Sequence, residues 1–203
     1  MVELLIERLR GLASPATLPA ELIRRITDSA EIYHFAKGDF LLKKGQLCNG
    51  AHFIVKGVAR SWFTSDNGET TTRLMGEAFI VTCWRSYYKQ VPSDENITTL
   101  EECTTVYLAR RVIYELYNEY DVFNTIGRKQ VEYSFCLADD RTNMMRRTAA
   151  EKYKWFCENH PDLLNRVNLK YIASYLDMTI ETLSRVRKAA AHSVAKGRIN
   201  QLR

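Results

Sequence analysis

Glu181 and Arg185 stand four residues apart in the stretch YIASYLDMTIETLSRVRK, residues 171–188. On a helix that spacing points both side chains the same way, and two chemistries suit the pair. One is a surface ion pair contributing about 0.2–0.5 kcal/mol to the helix. The other is hydrogen bonding to base edges. In a major groove a glutamate accepts from cytosine N4 and an arginine binds guanine O6 and N7 together, each good bidentate pair discriminating by about 1–3 kcal/mol. Ile180, Ser184 and Lys188 share the outward face, with Thr179 and Thr182 at its start.

Either chemistry needs a helix held at a defined angle. Leu169, Ile172, Ala173 and Leu176 give a first helix its inward face, and Ala173 is small where two helices must cross closely. The pattern breaks at Asp177-Met178-Thr179. Thr179 then suits the N-cap of a second helix starting near Ile180, with Leu183 and Val186 turned inward. The spacing predicts a helix-turn-helix. Charge agrees with a polyanionic partner: residues 141–203 carry 13 Lys/Arg against 5 Asp/Glu, whereas residues 1–140 carry 16 against 19. A solvated basic face is the plainer reading of charge alone.

A chain of 203 residues, 46% hydrophobic and 26% charged, can bury one large core or two small ones. No run reaches the roughly 18 apolar residues of a membrane span, and MVELLIERLRGLASP has no apolar signal core, so a cytoplasmic protein without membrane contact is expected. Cys48, Cys83, Cys103, Cys136 and Cys157 are too widely spaced for a disulfide framework or a zinc pair. Reduced, mostly buried thiols are expected, and no metal. There is no phosphate-binding glycine loop, HExxH or GxSxG, and Glu101 and Glu102, adjacent on a strand, point to opposite faces. No catalytic residue is assigned and no enzyme is expected.

Residues 3–10 and 19–30 read as short helices. From Ile32, short Phe/Ile/Val/Tyr/Trp-rich runs are punctuated by Gly38, Gly45, Gly50, Gly57, Gly68 and Gly76, the pattern of many short antiparallel strands. Asp66-Asn67-Gly68 marks a hairpin turn, and residues 95–109 read as a further strand pair. A β-roll of roughly eight strands is expected. Helical period then returns, with Phe123, Ile126, Gln130, Tyr133, Leu137, Asp140 and Met144 on one stripe of a long helix. That stripe packs on its own roll or against the same stripe of a second copy. The second is preferred, with Phe123, Ile126, Gln130, Tyr133, Leu137 and Met144 as the dimer interface.

On KGDFLLKKG, HFIVKGVARSWF, LMGEAFI and YIASYLDMTIETLSRVRK the chain resembles the Crp/Fnr family of bacterial transcription regulators, over nearly all its length. The resemblance implies an α+β protein: an N-terminal double-stranded β-roll (jelly-roll, cNMP-binding-like) in residues 1–120, a long dimerisation helix in 121–146 and a C-terminal winged helix-turn-helix in 147–203. It implies transcription regulation by a homodimer on a pseudo-palindromic operator in double-stranded DNA, with RNA polymerase and a small-molecule effector as further partners. Glu181 and Arg185 match the family's base-reading positions, and Thr179 and Thr182 its backbone-contacting ones. Ile180 replaces a frequent polar residue and suits a thymine methyl. The tail AAAHSVAKGRINQLR after the second helix leaves the position of the wing open.

For the effector, Gly76-Glu77 resembles the family's ribose-binding pair, and Trp84, Arg85, Tyr87 and Tyr88 stand beside the expected pocket, suiting an amphipathic or anionic ligand. Ser93, Asp94 and Glu95 fall where the family's phosphate-binding Arg-Ser or Arg-Thr would be. Carboxylates there repel a phosphate, so cyclic AMP is not expected. An iron–sulfur cluster is not expected, as no cysteine precedes Cys48, nor haem through His34 or His52. The competing reading is a ligand-binding or protein-interaction roll whose basic C-terminal domain binds nucleic acid nonspecifically.

Overall fold

The computed structural model describes residues 1–65 and 68–200, with side chains placed through Ala190 except Ser65. Helix α1 (Val2–Ala13) turns Leu5, Ile6, Leu9 and Leu12 inward at helical spacing, and α2 (Ala20–Ser29) does so with Leu22 and Ile26. Both pack on the roll that follows.

Eight strands make two antiparallel four-stranded sheets: β1 (Glu31–Phe35), β2 (Phe40–Leu42), β3 (Gly50–Lys56), β4 (Ala59–Ser65), β5 (Gly68–Met75), β6 (Ile80–Val81), β7 (Asn96–Thr99) and β8 (Cys103–Ala109). Their orders are β1-β8-β3-β6 and β2-β7-β4-β5, a jelly-roll arrangement in which consecutive strands often cross between sheets. The expected α+β class and roll are therefore present. The expected β4–β5 hairpin forms, pairing Ala59 with Met75 through Ser65 with Gly68; Asp66 and Asn67 of its turn lie outside the described residues. Residues 95–109 are two strands as expected, but not a pair. β7 joins β2 and β4 while β8 joins β1 and β3. Alternation identifies a strand but not its partner, and the register here is set by burial on both sheets. Gly57, at φ +105°, lets the β3–β4 turn approach the β7–β8 turn: a Cβ there would meet the Glu102 carbonyl at 2.5 Å.

Short helix α3 (Trp84–Lys89) follows β6, and α4 (Arg110–Glu119) and α5 (Asp121–Met145) follow β8. Beyond them come α6 (Ala149–Asn159), a 3-10 turn (Pro161–Leu163), α7 (Leu169–Tyr175) and α8 (Ile180–Asn200). Thr148 opens α6 with a capping box to Glu151. One core fills the roll beneath α1, α2, α4 and the start of α5. A second gathers Met144, Phe156, Leu163, Val167, Ile172, Leu176 and Leu183, and takes in Val58 and Leu74 from the roll. The C-terminal helices thus share buried apolar surface with the sheets. The expected wing is not found: the chain is helical from Ile180 to Asn200, and no strand follows Ala109 among the described residues. Residues 201–203 lie outside them.

Candidate nucleic-acid interface and effector cavity

The turn between α7 and α8 is fixed by backbone hydrogen bonds. Met178 N–H donates to the Ala173 carbonyl at 3.0 Å and Asp177 N–H to that of Ser174 at 3.2 Å, with Asp177 left-handed at φ +52°. That pairing is a Schellman C-cap, with Asp in the position glycine usually takes. Thr179 caps α8 as expected, accepting at 3.2 Å from the Thr182 amide. Its hydroxyl also lies 3.2 Å from that of Thr182. Leu176 and Leu183 are fully buried where the helices cross.

These constraints leave one face of α8 in solvent. Ile180 is 47% exposed, Glu181, Arg185 and Lys188 are exposed, and Thr182 and Ser184 are half-buried. Among the described residues Glu181 and Arg185 make no ion pair with each other, and Arg185 has no carboxylate partner. Glu181 is held below the usual carboxylate range by its own amide and by Thr179, as suits an anion in the first turn of a helix.

Helix α5 is the long helix expected, but its expected interface is largely covered already. Phe123, Ile126, Gln130 and Met144 are buried against their own chain, the first two in the roll core and Met144 in the C-terminal core. Tyr133 is partly exposed beneath the Arg8 guanidinium, 5.3 Å from its ring. Leu137 lines an intramolecular cavity. The free stripe is a different one: Val131, Phe135, Ala138 and Thr142 are all exposed and advance in steps of four, three and four, although Ala138 and Thr142 also border the cavity that Leu137 lines. Phe135 is 72% exposed. Both stripes have heptad spacing, so period alone does not choose between them. Burial does, because α1 covers the first.

The six expected pocket residues do not converge. Gly76 and Glu77 face the C-terminal unit: Glu77 accepts from the Gly57 amide at 2.9 Å and from Arg166 at 2.9 and 2.7 Å, and a Cβ on Gly76 would lie 3.3 Å from Asp162. A carboxylate so engaged is occupied as a docking group, which corrects its assignment to an effector pocket. Tyr88 is 76% exposed, and Tyr87 is buried beneath Arg110. Trp84 and Arg85 do line a cavity of ≈ 480 Å³ bounded by β5, the α3 region, α5 and α6, together with His160 and Tyr175.

Three guanidiniums and two carboxylates give that cavity its charge. Arg73 donates to Glu95 at 2.7 Å and to the Thr82 carbonyl at 2.9 Å, and Arg85 lies 3.5 Å from Asp94. Arg141 donates to the carbonyls of Thr71 and Tyr175, at 3.2 and 3.4 Å, while its Nε is buried without a partner. Burial lowers the pKa of His160, whose ring meets Trp155 and Tyr175 edge-on and lies tilted against Phe156. Arg73 and Arg141 carry no local signal in sequence, since the fold brings them together from 68 positions apart.

Among the described residues, no group of three or more His, Cys, Asp or Glu could hold a metal, and no helix is long and apolar enough to cross a membrane. Cys48, Cys83 and Cys103 are buried free thiols, while Cys136 is exposed.

Residues 32–120 match the family model described as cyclic nucleotide-binding domain. The chain is similar in fold to FixK2 from Bradyrhizobium japonicum, at 14% identity and TM-score 0.71 over 81% of this chain and 85% of that one. It is similar to the c-di-GMP responsive global regulator CLP of Xanthomonas campestris, at 12% and 0.66 over 86% and 93%. A third likeness is to the catabolite activator protein of Thermus thermophilus, at 16% and 0.53 over 90% and 87%. No curated protein matches the sequence. Residues 32–120 are thus a cyclic nucleotide-binding-type roll. The resemblance read from the sequence holds in fold, from the roll through the helices that follow it.

Proposed function

We propose that this protein is a DNA-binding transcriptional regulator of the Crp/Fnr type, acting as a homodimer on a pseudo-palindromic operator and lacking enzymatic activity. The observation that carries the reading is the solvent face of α8. Glu181 and Arg185 lie on it unpaired with each other, on a helix clamped at its start by the turn and the Thr179 cap, in the most basic part of the chain. Glu181 takes cytosine N4, Arg185 takes guanine, Ile180 takes a thymine methyl, and Lys188, Thr179, Thr182 and Ser184 serve the backbone. We place the division of labour at 1–120, 121–146 and 147–203.

The dimer uses the free stripe of α5, each Phe135 packing against the partner's copy, so that two α8 helices reach successive major grooves. The effector is a small amphipathic anion other than cyclic AMP, held by Arg73, Arg85 and Arg141. The cavity takes side chains from both the roll and the C-terminal helices, so an occupant favours one arrangement of the two over another, which is what an effector needs. The protein works in the cytoplasm with RNA polymerase as its partner on the promoter.

Selection of bound sequences from a random DNA pool at about 150 mM salt, where nonspecific binding is weakened, tests this reading. A two-fold-symmetric motif is expected. If neither the protein alone nor the protein with extracted anionic metabolites enriches any motif, base reading is wrong.

A further inference from the structure

Between the two sheets, at the end formed by β1 and β2, lies a space of ≈ 600 Å³ that the arginine-lined cavity does not include. One wall is a run of rings. Tyr33 and Phe35 are stacked with centroids 6.0 Å apart, and His52 and Tyr107 continue the wall at 4.7 Å. Phe40, Leu42 and Ile97 of the other sheet face them.

The interior is open here for a local reason. Gly50 has no side chain, and the Tyr107 ring lies against it, its hydroxyl donating to the Asn49 carbonyl at 2.9 Å. A Cβ at position 50 would collide with that ring. At the rim Tyr33, Phe40 and Leu47 are 39%, 40% and 45% exposed, with the Lys43 ammonium 5.0 Å over the Phe40 ring and Glu31 accepting from the Tyr33 hydroxyl.

The lining contains no Asp, Glu, Lys or Arg. His52, the one ionisable group besides Tyr33, Tyr107 and Cys48, is kept neutral near pH 7 by burial, with a pKa of about 4. Its Nδ1 is 2.9 Å from the Thr105 hydroxyl. A charged guest would lose its hydration here without an opposite charge to replace it. A flat neutral guest would gain ring contacts on one side and aliphatic contacts on the other. The volume is within the range of small-molecule sites, about 300–1,000 Å³.

We propose that this groove is a binding site for a neutral, flat aromatic small molecule, separate from the arginine-lined cavity. Such a guest also has a route to that cavity. Thr82 lines the groove, its hydroxyl donating to the Gly50 carbonyl at 3.2 Å, and its own carbonyl accepts from Arg73.

Titration of the full-length protein with N-phenylnaphthylamine, an uncharged probe whose emission rises in apolar surroundings, tests the site. Saturable binding is expected, and Tyr33→Ala and Phe40→Ala should each weaken it by about five-fold. Both side chains are partly exposed, so thermal melting should confirm that the variants stay folded. Tyr88→Ala, at an exposed residue lining neither space, should leave the affinity within about two-fold, and the sulfonated anionic analogue should not compete. The proposal fails if binding does not saturate, if Tyr33→Ala and Phe40→Ala both bind like the parent, or if the sulfonated analogue displaces the probe.

Discussion

Arg166, in the loop before α7, holds Glu77, in the turn between β5 and β6, through two hydrogen bonds of 2.9 and 2.7 Å across 89 residues of chain. It reaches Glu101 in the β7–β8 turn at 2.5 Å with the same guanidinium. The three side chains bind the C-terminal helices to the end of the roll where Val58 and Leu74 enter the second core.

This contact gives docking a defined acid limit. Hydrogen bonds from Arg166 pull the Glu77 pKa from 4.5 to about 2. A depressed carboxylate contributes stability that is complete above its unfolded pKa and is lost as pH falls toward the folded one, so docking should loosen between pH 4.5 and 2. Both partners are about a third exposed, and solvent screening limits the loss to about 1 kcal/mol. Glu77→Gln should cost a similar amount at pH 7 and flatten the acid limb. Hydrogen exchange of α7 amides reads this directly, and unchanged exchange in Glu77→Gln would remove the contact from the account of docking.

The same contact shows where sequence reasoning stops. Gly76-Glu77 is legible as a turn with a carboxylate, and the likeness to a ribose-binding pair follows from those two letters. What they cannot carry is the position of Arg166, which only the packing of α7 on β5 supplies. The roll, the long helix, the Thr179 cap and the inward Leu176 and Leu183 were legible because period, capping and burial act locally. The pairing of β7 and β8, the stripe of α5 left uncovered by α1, and the meeting of Arg73 with Arg141 were not, because each is decided by contacts between segments far apart in the chain.

The proposed base reading by α8 predicts a pattern of specificity. Arg185→Ala should weaken binding to the selected operator by about 1–3 kcal/mol while leaving scrambled duplex unchanged. Lys188→Ala, at a proposed backbone contact, should weaken both and lower the salt slope by about one. Anisotropy titrations of the two duplexes over a salt series separate these patterns. Equal losses on both duplexes for Arg185→Ala would reduce that residue to a phosphate contact.

The two stripes of α5 should answer mutation differently. Phe135→Glu, on the free stripe, should convert the proposed dimer to a folded monomer with an unchanged melting temperature, as seen by analytical ultracentrifugation and calorimetry. Ile126→Ala, on the stripe beneath α1, should cost about 2–5 kcal/mol of fold stability through the cavity it leaves, with assembly intact in the folded fraction. If Phe135→Glu sediments as the parent does, the partner copy packs elsewhere.

His52 sets a second pH dependence, inside the roll. Its pKa falls from 6.5 to about 4 because burial among Tyr33, Phe35 and Tyr107 disfavours the charged ring. The unfolded chain therefore binds the proton first, and stability is undiminished above pH 6.5 and declines as pH falls toward 4. Over that window the loss approaches about 3 kcal/mol. His160 is shifted the same way by burial, so whole-protein denaturation contains both contributions. His52→Gln keeps a hydrogen-bonding partner for Thr105 and removes one of them. Denaturant titrations of the parent and His52→Gln at pH 7 and pH 5 isolate it: the variant should lose less stability than the parent between the two. Equal losses would mean that the ring takes up its proton without leaving the sheet, through water reaching the open groove it lines.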